Sequence, residues 1–192
     1  MIPGMDKTVE QDEQDKEDVV SSLRGDEEAY TRLLRRYEED IARQMWRFTH
    51  DRGEHEILVH DVFVEAFFSL PKFGFRAPFA HWLRRIATHV GYGFWRQKGR
   101  GRKIIHLQDP DSLAGKPAPE KTDEGISLFG LLEKLNPEER LVLTLTYDEG
   151  LNAKQIAERM GWTHIMTRAR LSRARKKLRT IAENAGLGKE LS

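Results

Sequence analysis

The stretch from Leu151 to Leu178 admits one local fold, two helices across a glycine turn. Ala153, Ile156, Ala157 and Met160 recur at helical spacing and form one apolar stripe, and Gly161 follows as the residue that takes positive φ. Thr163 is placed to cap a second helix by accepting a free backbone N–H. Ala169, Leu171, Ala174 and Leu178 are the candidates for that helix's buried side. Arg168, Arg170, Arg173, Arg175, Lys176, Lys177 and Arg179 are left for the other faces, and no acidic residue stands between Trp162 and Ile181. A merely soluble helix mixes signs at i and i+4, because like charges at that spacing repel. This one does not, and its basic row starts where the second helix of a helix-turn-helix enters the major groove. Duplex DNA is the expected partner.

The net charge of +1 hides a strongly uneven distribution. Residues 1–20 carry Asp6, Glu10, Asp12, Glu13, Asp15, Glu17 and Asp18 against Lys7 and Lys16, a composition expected to stay disordered at least as far as Asp15. From Ala66 to Gln108 there is no acidic residue, while Lys72, Arg76, Arg84, Arg85, Arg96, Lys98, Arg100, Arg102 and Lys103 are present. The opposite charges of residues 1–20 and 84–103 raise the hypothesis that the lead covers the basic surface.

Several classes of chemistry are disfavoured. There is no cysteine, so neither disulfides nor thiolate metal sites can form. His55 and His60 are five apart, which is not the i, i+4 spacing of a helical metal pair, and no metal or other cofactor is expected. Gly115-Lys116 lacks the glycine and the hydroxyl residue of a phosphate loop, and no nucleophile with a partnered base stands out, so the chain is not expected to be an enzyme. No apolar run reaches the ~20 residues of a membrane span and no secretory signal opens the chain, which points to the cytoplasm and to no membrane insertion of its own.

Asp109–Gly125, with Pro110, Gly115, Pro117 and Pro119, has no helical periodicity and reads as a flexible linker. The expected architecture is all-α, two small helical domains on either side of it. The boundaries are an acidic lead at 1–20, a helical bundle at 21–103, the linker at 104–126, a helix-turn-helix domain at 127–184 and a tail at 185–192. Helices are expected over Asp26 to about Arg47, Glu54–Ser69 and Pro78 to about Lys98 in the first domain. The second should have Ser127–Leu135, a helix opened by Asn136-Pro137-Glu138-Glu139 and running to Tyr147, and then the helix-turn-helix.

These motifs in this order resemble the bacterial RNA polymerase sigma factors of the extracytoplasmic-function group, which consist of a region 2 domain and a region 4 domain. Leu33-Leu-Arg-Arg-Tyr37 resembles the opening helix, Leu58-Val-His-Asp-Val-Phe-Val-Glu-Ala66 a Leu-Val-Gln-Glu-Val-Phe segment, and Phe79-Ala-His-Trp-Leu-Arg-Arg-Ile-Ala87 a Phe-x-x-Trp-Leu-x-x-Ile-Ala signature. Leu135–Leu143, Gly150–Gly161 and Arg170–Leu178 carry the match through region 4. The resemblance implies a promoter-specificity subunit that binds the clamp and flap of core polymerase, melts and holds the minus-ten element with region 2, reads the minus-thirty-five duplex with region 4, and is restrained by an anti-sigma factor. Leu58, Val59, His60, Asp61, Phe63 and Glu65 would meet the polymerase. Phe75, Arg76, Arg84, Arg85, His89, Tyr92, Arg96, Lys98 and Arg100 would meet the minus-ten strand, and Thr163, His164, Thr167, Arg168, Arg170, Arg173 and Arg175 the minus-thirty-five element.

The residues support that division of labour. Single-strand capture needs cations along the backbone and aromatic faces for bases. Phe73, Phe75, Phe79, Trp82, Tyr92, Phe94 and Trp95 are interleaved with the basic residues, and the loop Phe73–Pro78 is the candidate for gripping an extruded base, while Phe79 and Trp82 sit at core spacing. Arg96, Lys98, Arg100 and Arg102 suit phosphate contacts. The chain departs from the family pattern at Ile57, His60, His89 and Gly93, and at Ile165 and Met166, which replace a Gly-Thr pair at the start of the recognition helix. A sigma mimic that titrates an anti-sigma factor without touching promoter DNA is the main alternative, disfavoured by the two basic surfaces. A dimeric duplex-binding repressor is a further one, disfavoured by the lack of a dimerisation heptad.

Overall fold

The computed structural model describes residues 3–99 and 128–186, with side chains from residue 9 onward. Every regular element among the described residues is helical, as expected. Arg100, Arg102, Lys103, the linker at 104–126 and most of the tail lie outside the described residues. The chain forms two compact units, Met1–Gly91 and Tyr92–Ser192.

The first unit holds α1 (Pro3–Leu23), α2 (Glu27–Met45), α3 (Arg52–Ser69), a 3₁₀ turn at Leu70–Lys72, and the first part of α4 (Phe79–Gly99). Asp26 caps α2 by accepting from the Glu28 and Ala29 amides, and Asp51 caps α3 by accepting from Glu54. The core is built from Val19 of α1, Leu33, Ile41 and Met45 of α2, Leu58, Val62 and Ala66 of α3, and Phe79 and Leu83 of α4. Gly91 sits against Phe48 so closely that a Cβ there would come within 2.5 Å of three ring carbons.

The acidic lead departs from its expectation of disorder. From Pro3 onward it is helical, and Asp15 and Asp18, three apart on one face of α1, are buried against α2. Arg36 donates from Nη1 to Asp15 at 2.6 Å and from Nη2 to Asp18 at 2.9 Å, Arg32 Nε donates to Asp18 at 2.8 Å, and the Tyr37 hydroxyl donates to Asp15. Buried carboxylates are tolerated when paired and hydrogen-bonded in this way. The buried acids of the lead therefore pair with the arginines of α2, whereas Arg84, in the basic stretch proposed as their partner, pairs with Asp40 at 3.4 Å.

The second unit holds the end of α4 with α5 (Leu128–Glu133), α6 (Pro137–Tyr147), α7 (Ala153–Met160) and α8 (His164–Asn184). Asn136 and Asn152 each form a reciprocal capping box, with Glu139 and Gln155, so α6 and α7 begin where their backbone donors are satisfied. Gly161 takes φ 69° in the left-handed region and ends α7, and Thr163 accepts from the Met166 amide at 3.3 Å to start α8. Leu141, Val142, Leu143 and Leu145 of α6, Ile156 and Met160 of α7, and Leu171 and Ala174 of α8 form the core.

Candidate promoter and polymerase interfaces

α3 has two faces of different use. Leu58, Val62, Phe63 and Ala66 point inward, so Leu58 and Phe63, expected at the polymerase, serve the core instead. The period of the helix accounts for Leu58 and Ala66, each four residues from Val62, and Phe63 widens that packed side. Val59 is half-buried, and His60, Asp61 and Glu65 are exposed. With them stand Val64, Phe67 and Phe68, which the motif match did not single out; Phe68 is 73% exposed. Val64 and Phe68, four apart, are out of phase with the Leu58, Val62 and Ala66 stripe and mark a second apolar face, and Phe67, four after Phe63, stands at its border with the packed side. Tyr30 supports it from α2, donating to the Phe63 carbonyl at 2.5 Å and meeting the Phe67 ring edge-on at 5.0 Å.

Between α3 and α4 the aromatic residues separate into core and surface. Phe73 and Phe79 are buried, and Phe73 lies 5.0 Å from the half-buried Trp82. Phe75 is exposed, 4.9 Å from Phe73, and its φ of 53° is the one positive value on a non-glycine residue among those described. Such a backbone costs about 1 kcal/mol or more and persists only where the surroundings hold it. Phe75 and Arg76 line a cleft of about 240 Å³ together with Asp12, Asp15 and Lys16 of α1. A second cleft, of about 470 Å³, has Trp82 and Ile86 with Lys72, Arg85, His89, Glu65 and Ser69 around them. It brings together Arg85 and His89 but not Arg84, which is turned toward Asp40.

In the second unit, Tyr92 is engaged: its hydroxyl donates to Glu138 at 2.9 Å and its ring meets Trp162 at 5.9 Å. Burial, then the bond to Glu138, pushes its phenol up to about 12. Arg96 lies 5.7 Å over the Tyr92 ring and Lys98 5.3 Å over Phe94. Arg140 is buried between the faces of Trp95 and Phe129, at 4.0 and 4.4 Å, and cation–π attraction there stands in for hydrogen bonds that its Nε and Nη2 do not make.

α8 sorts the expected readers sharply. Thr163 is the cap, and Thr167 is 0% exposed with its hydroxyl donating to the Thr163 carbonyl at 3.0 Å, so it holds the turn from the packed side. Ala169, expected on the buried side, is exposed, because the packed stripe runs through Thr167, Leu171, Ala174 and Ala182. Arg170 is half-buried and stacked 4.3 Å over Trp162. Arg175 lies 5.9 Å over Tyr147, and Lys177 bonds Glu139 at 3.0 Å. His164, Arg168, Arg173, Lys176 and Arg179 remain exposed, and none of the four basic residues forms an ion pair among the described residues.

An aromatic and basic cleft on one unit and, on the other, a basic helix after a capped glycine turn, four of whose cations form no ion pair among the described residues, define a two-unit DNA-binding protein. Residues 33–101 match the family model for sigma-70 region 2 and residues 131–180 that for sigma-70 region 4, together well over half of the chain. The chain belongs to the sigma-70 family, and its relatives place it in the ECF group. It is 29% identical over 168 residues to the ECF RNA polymerase sigma factor SigE of Mycolicibacterium smegmatis, covering 83% of this chain and 65% of that one. It is 29% identical over 176 residues to the RNA polymerase sigma-H factor of Pseudomonas aeruginosa, covering 85% of this chain and 91% of that one. The fold is similar to CnrH, solved in complex with the cytosolic domain of CnrY (TM-score 0.54, 21% identity, 89% of this chain and 98% of that one). It is also similar to RpoE of Bartonella quintana, solved with the anti-sigma factor NepR (TM-score 0.53, 20% identity, 80% of this chain and 96% of that one).

Proposed function

We propose that the protein is a promoter-specificity subunit of RNA polymerase, acting in the cytoplasm and catalysing nothing itself. The exposed face of α3, with His60, Asp61, Val64, Glu65, Phe67 and Phe68, docks on the clamp of the core enzyme, and the second unit lies at its flap. Phe75, Arg76, Arg85 and His89 hold the minus-ten strand, with Arg96 and Lys98 on its phosphates. His164, Arg168 and Arg173 meet the minus-thirty-five duplex. The observation that carries this reading is the pairing of two unlike DNA surfaces on one chain, aromatic clefts suited to unstacked bases and a helix suited to the major groove. Solved relatives bound to CnrY and to NepR support an anti-sigma factor as the third partner.

The test is co-elution with core RNA polymerase, followed by run-off transcription from genomic DNA with the reconstituted enzyme. Co-elution with new, discrete transcripts is the expected result. No association with core, together with tight binding to an anti-sigma domain, would replace the proposal with the mimic.

A further inference from the structure

The start of α8 leaves apolar atoms in water where a reader of base edges would need them. Ile165, the second residue of the helix, is 82% exposed, more than any other large hydrophobic side chain among the described residues, and Met166 beside it is also exposed. Neither is needed for the fold. Thr163 caps the helix, and Thr167, Leu171 and Ala174 bind it to its unit. β-branched isoleucine gains nothing from an exposed helical position, where longer unbranched side chains are favoured.

What surrounds Ile165 says what covers it. Ala169 and Ser172 follow at i+4 and i+7 on the same exposed stripe, and both are short enough to let the helix approach a surface closely. Arg168 and Arg173 flank that stripe without an ion pair among the described residues. An apolar tip with a low ridge behind it and unneutralised arginines on its flanks is complementary to an anionic groove and not to an apolar protein face. In the major groove of B-DNA the apolar group a base pair presents is the C5-methyl of thymine.

We propose that Ile165 reads a thymine methyl, so that the upstream promoter element carries thymine at the position facing the start of α8. This assignment rests on α8 being the duplex reader proposed above. Arg168 then supplies the hydrogen-bonding half of the readout and Ile165 the apolar half. The small Ala169 and Ser172 permit the approach that brings both to the base edges.

The experiment uses holoenzyme, the full chain with core polymerase, and duplexes carrying the upstream element of a promoter mapped by run-off transcription. Each thymine is replaced in turn by deoxyuridine, which removes the methyl and leaves base pairing intact. At one or two positions the wild-type holoenzyme should bind the deoxyuridine duplex about fourfold more weakly, the worth of one buried methyl. Ile165→Ala should bind both duplexes equally, Ile165→Val should keep part of the difference, and Arg168→Ala should weaken both while preserving their ratio. Indifference of the wild type to deoxyuridine at every position, an unchanged ratio in Ile165→Ala, or an upstream element without thymine would overturn the assignment. Those results leave promoter recognition standing, whereas a holoenzyme that makes no discrete transcript removes the proposed function and this inference with it.

Discussion

Asp15→Ala measures whether α1 belongs to the folded first unit. The Asp15 carboxylate is 1% exposed and accepts from Arg36 Nη1 at 2.6 Å and from the Tyr37 hydroxyl. Bonds to a charged group contribute about 1.5–3 kcal/mol each, and removing one partner of a buried pair costs about 3–5 kcal/mol. Two features lower that figure here. Arg36 keeps Asp18 at 2.9 Å, and its side chain retains 22% of its exposure, so the abandoned cation can still reach water. The expected loss is therefore about 2–4 kcal/mol, a large share of the stability of a domain this size. The assay is urea unfolding of the full chain followed by far-ultraviolet circular dichroism. The doubly substituted Asp15→Ala, Arg36→Ala protein closes a cycle that should return a coupling of about 1 kcal/mol or more. A loss below about 0.5 kcal/mol with no coupling would refute the docking of α1 on α2 and restore the solvated acidic lead.

Three further results are expected. Gly91→Ala drives a Cβ into the Phe48 ring and should destabilise by about 1–3 kcal/mol in the same assay, whereas Gly93→Ala, whose Cβ meets nothing within 4 Å, should not destabilise. Burial pushes the Tyr30 phenol up to about 12 from its ordinary 10. Because the folded form holds that proton more tightly, its stabilising contribution is intact below pH 10 and falls as pH rises toward 12, so alkaline unfolding should be blunted in Tyr30→Phe. Phe68→Glu places a charge in the exposed apolar face of α3 without touching the core, and should reduce co-elution with core polymerase at least tenfold while leaving thermal unfolding within a few degrees of the wild type.

The helix-turn-helix was legible because its signals are local. Gly161 and Thr163 satisfy backbone groups within a few residues of themselves, and no distant packing is needed to foresee it. α1 was not legible from its summed charge, because what orders it is a match across the chain, Asp15 and Asp18 on one helix against Arg32 and Arg36 on the next. Leu58, Phe63 and Thr167 show a different gap. Motif similarity selects the right helix, but only periodicity tells which side of it a residue occupies, and all three fall on the packed side. The same periodicity would have brought out Phe67 and Phe68. The positive φ of Phe75 has no sequence signal, since left-handed backbone is ordinarily foreseen at glycine or asparagine.

The division of α8 into a packed side and a bare one bears on how such a protein can change over generations. Thr167, Leu171 and Ala174 carry the cost of any error in folding, while Ile165, Arg168, Ala169 and Ser172 contribute almost none of the packing. Substitutions on the bare side are close to neutral for stability. A duplicated copy of this chain can thus drift toward a new set of target sequences one residue at a time, without passing through an unstable intermediate, and each step is judged by selection on binding alone.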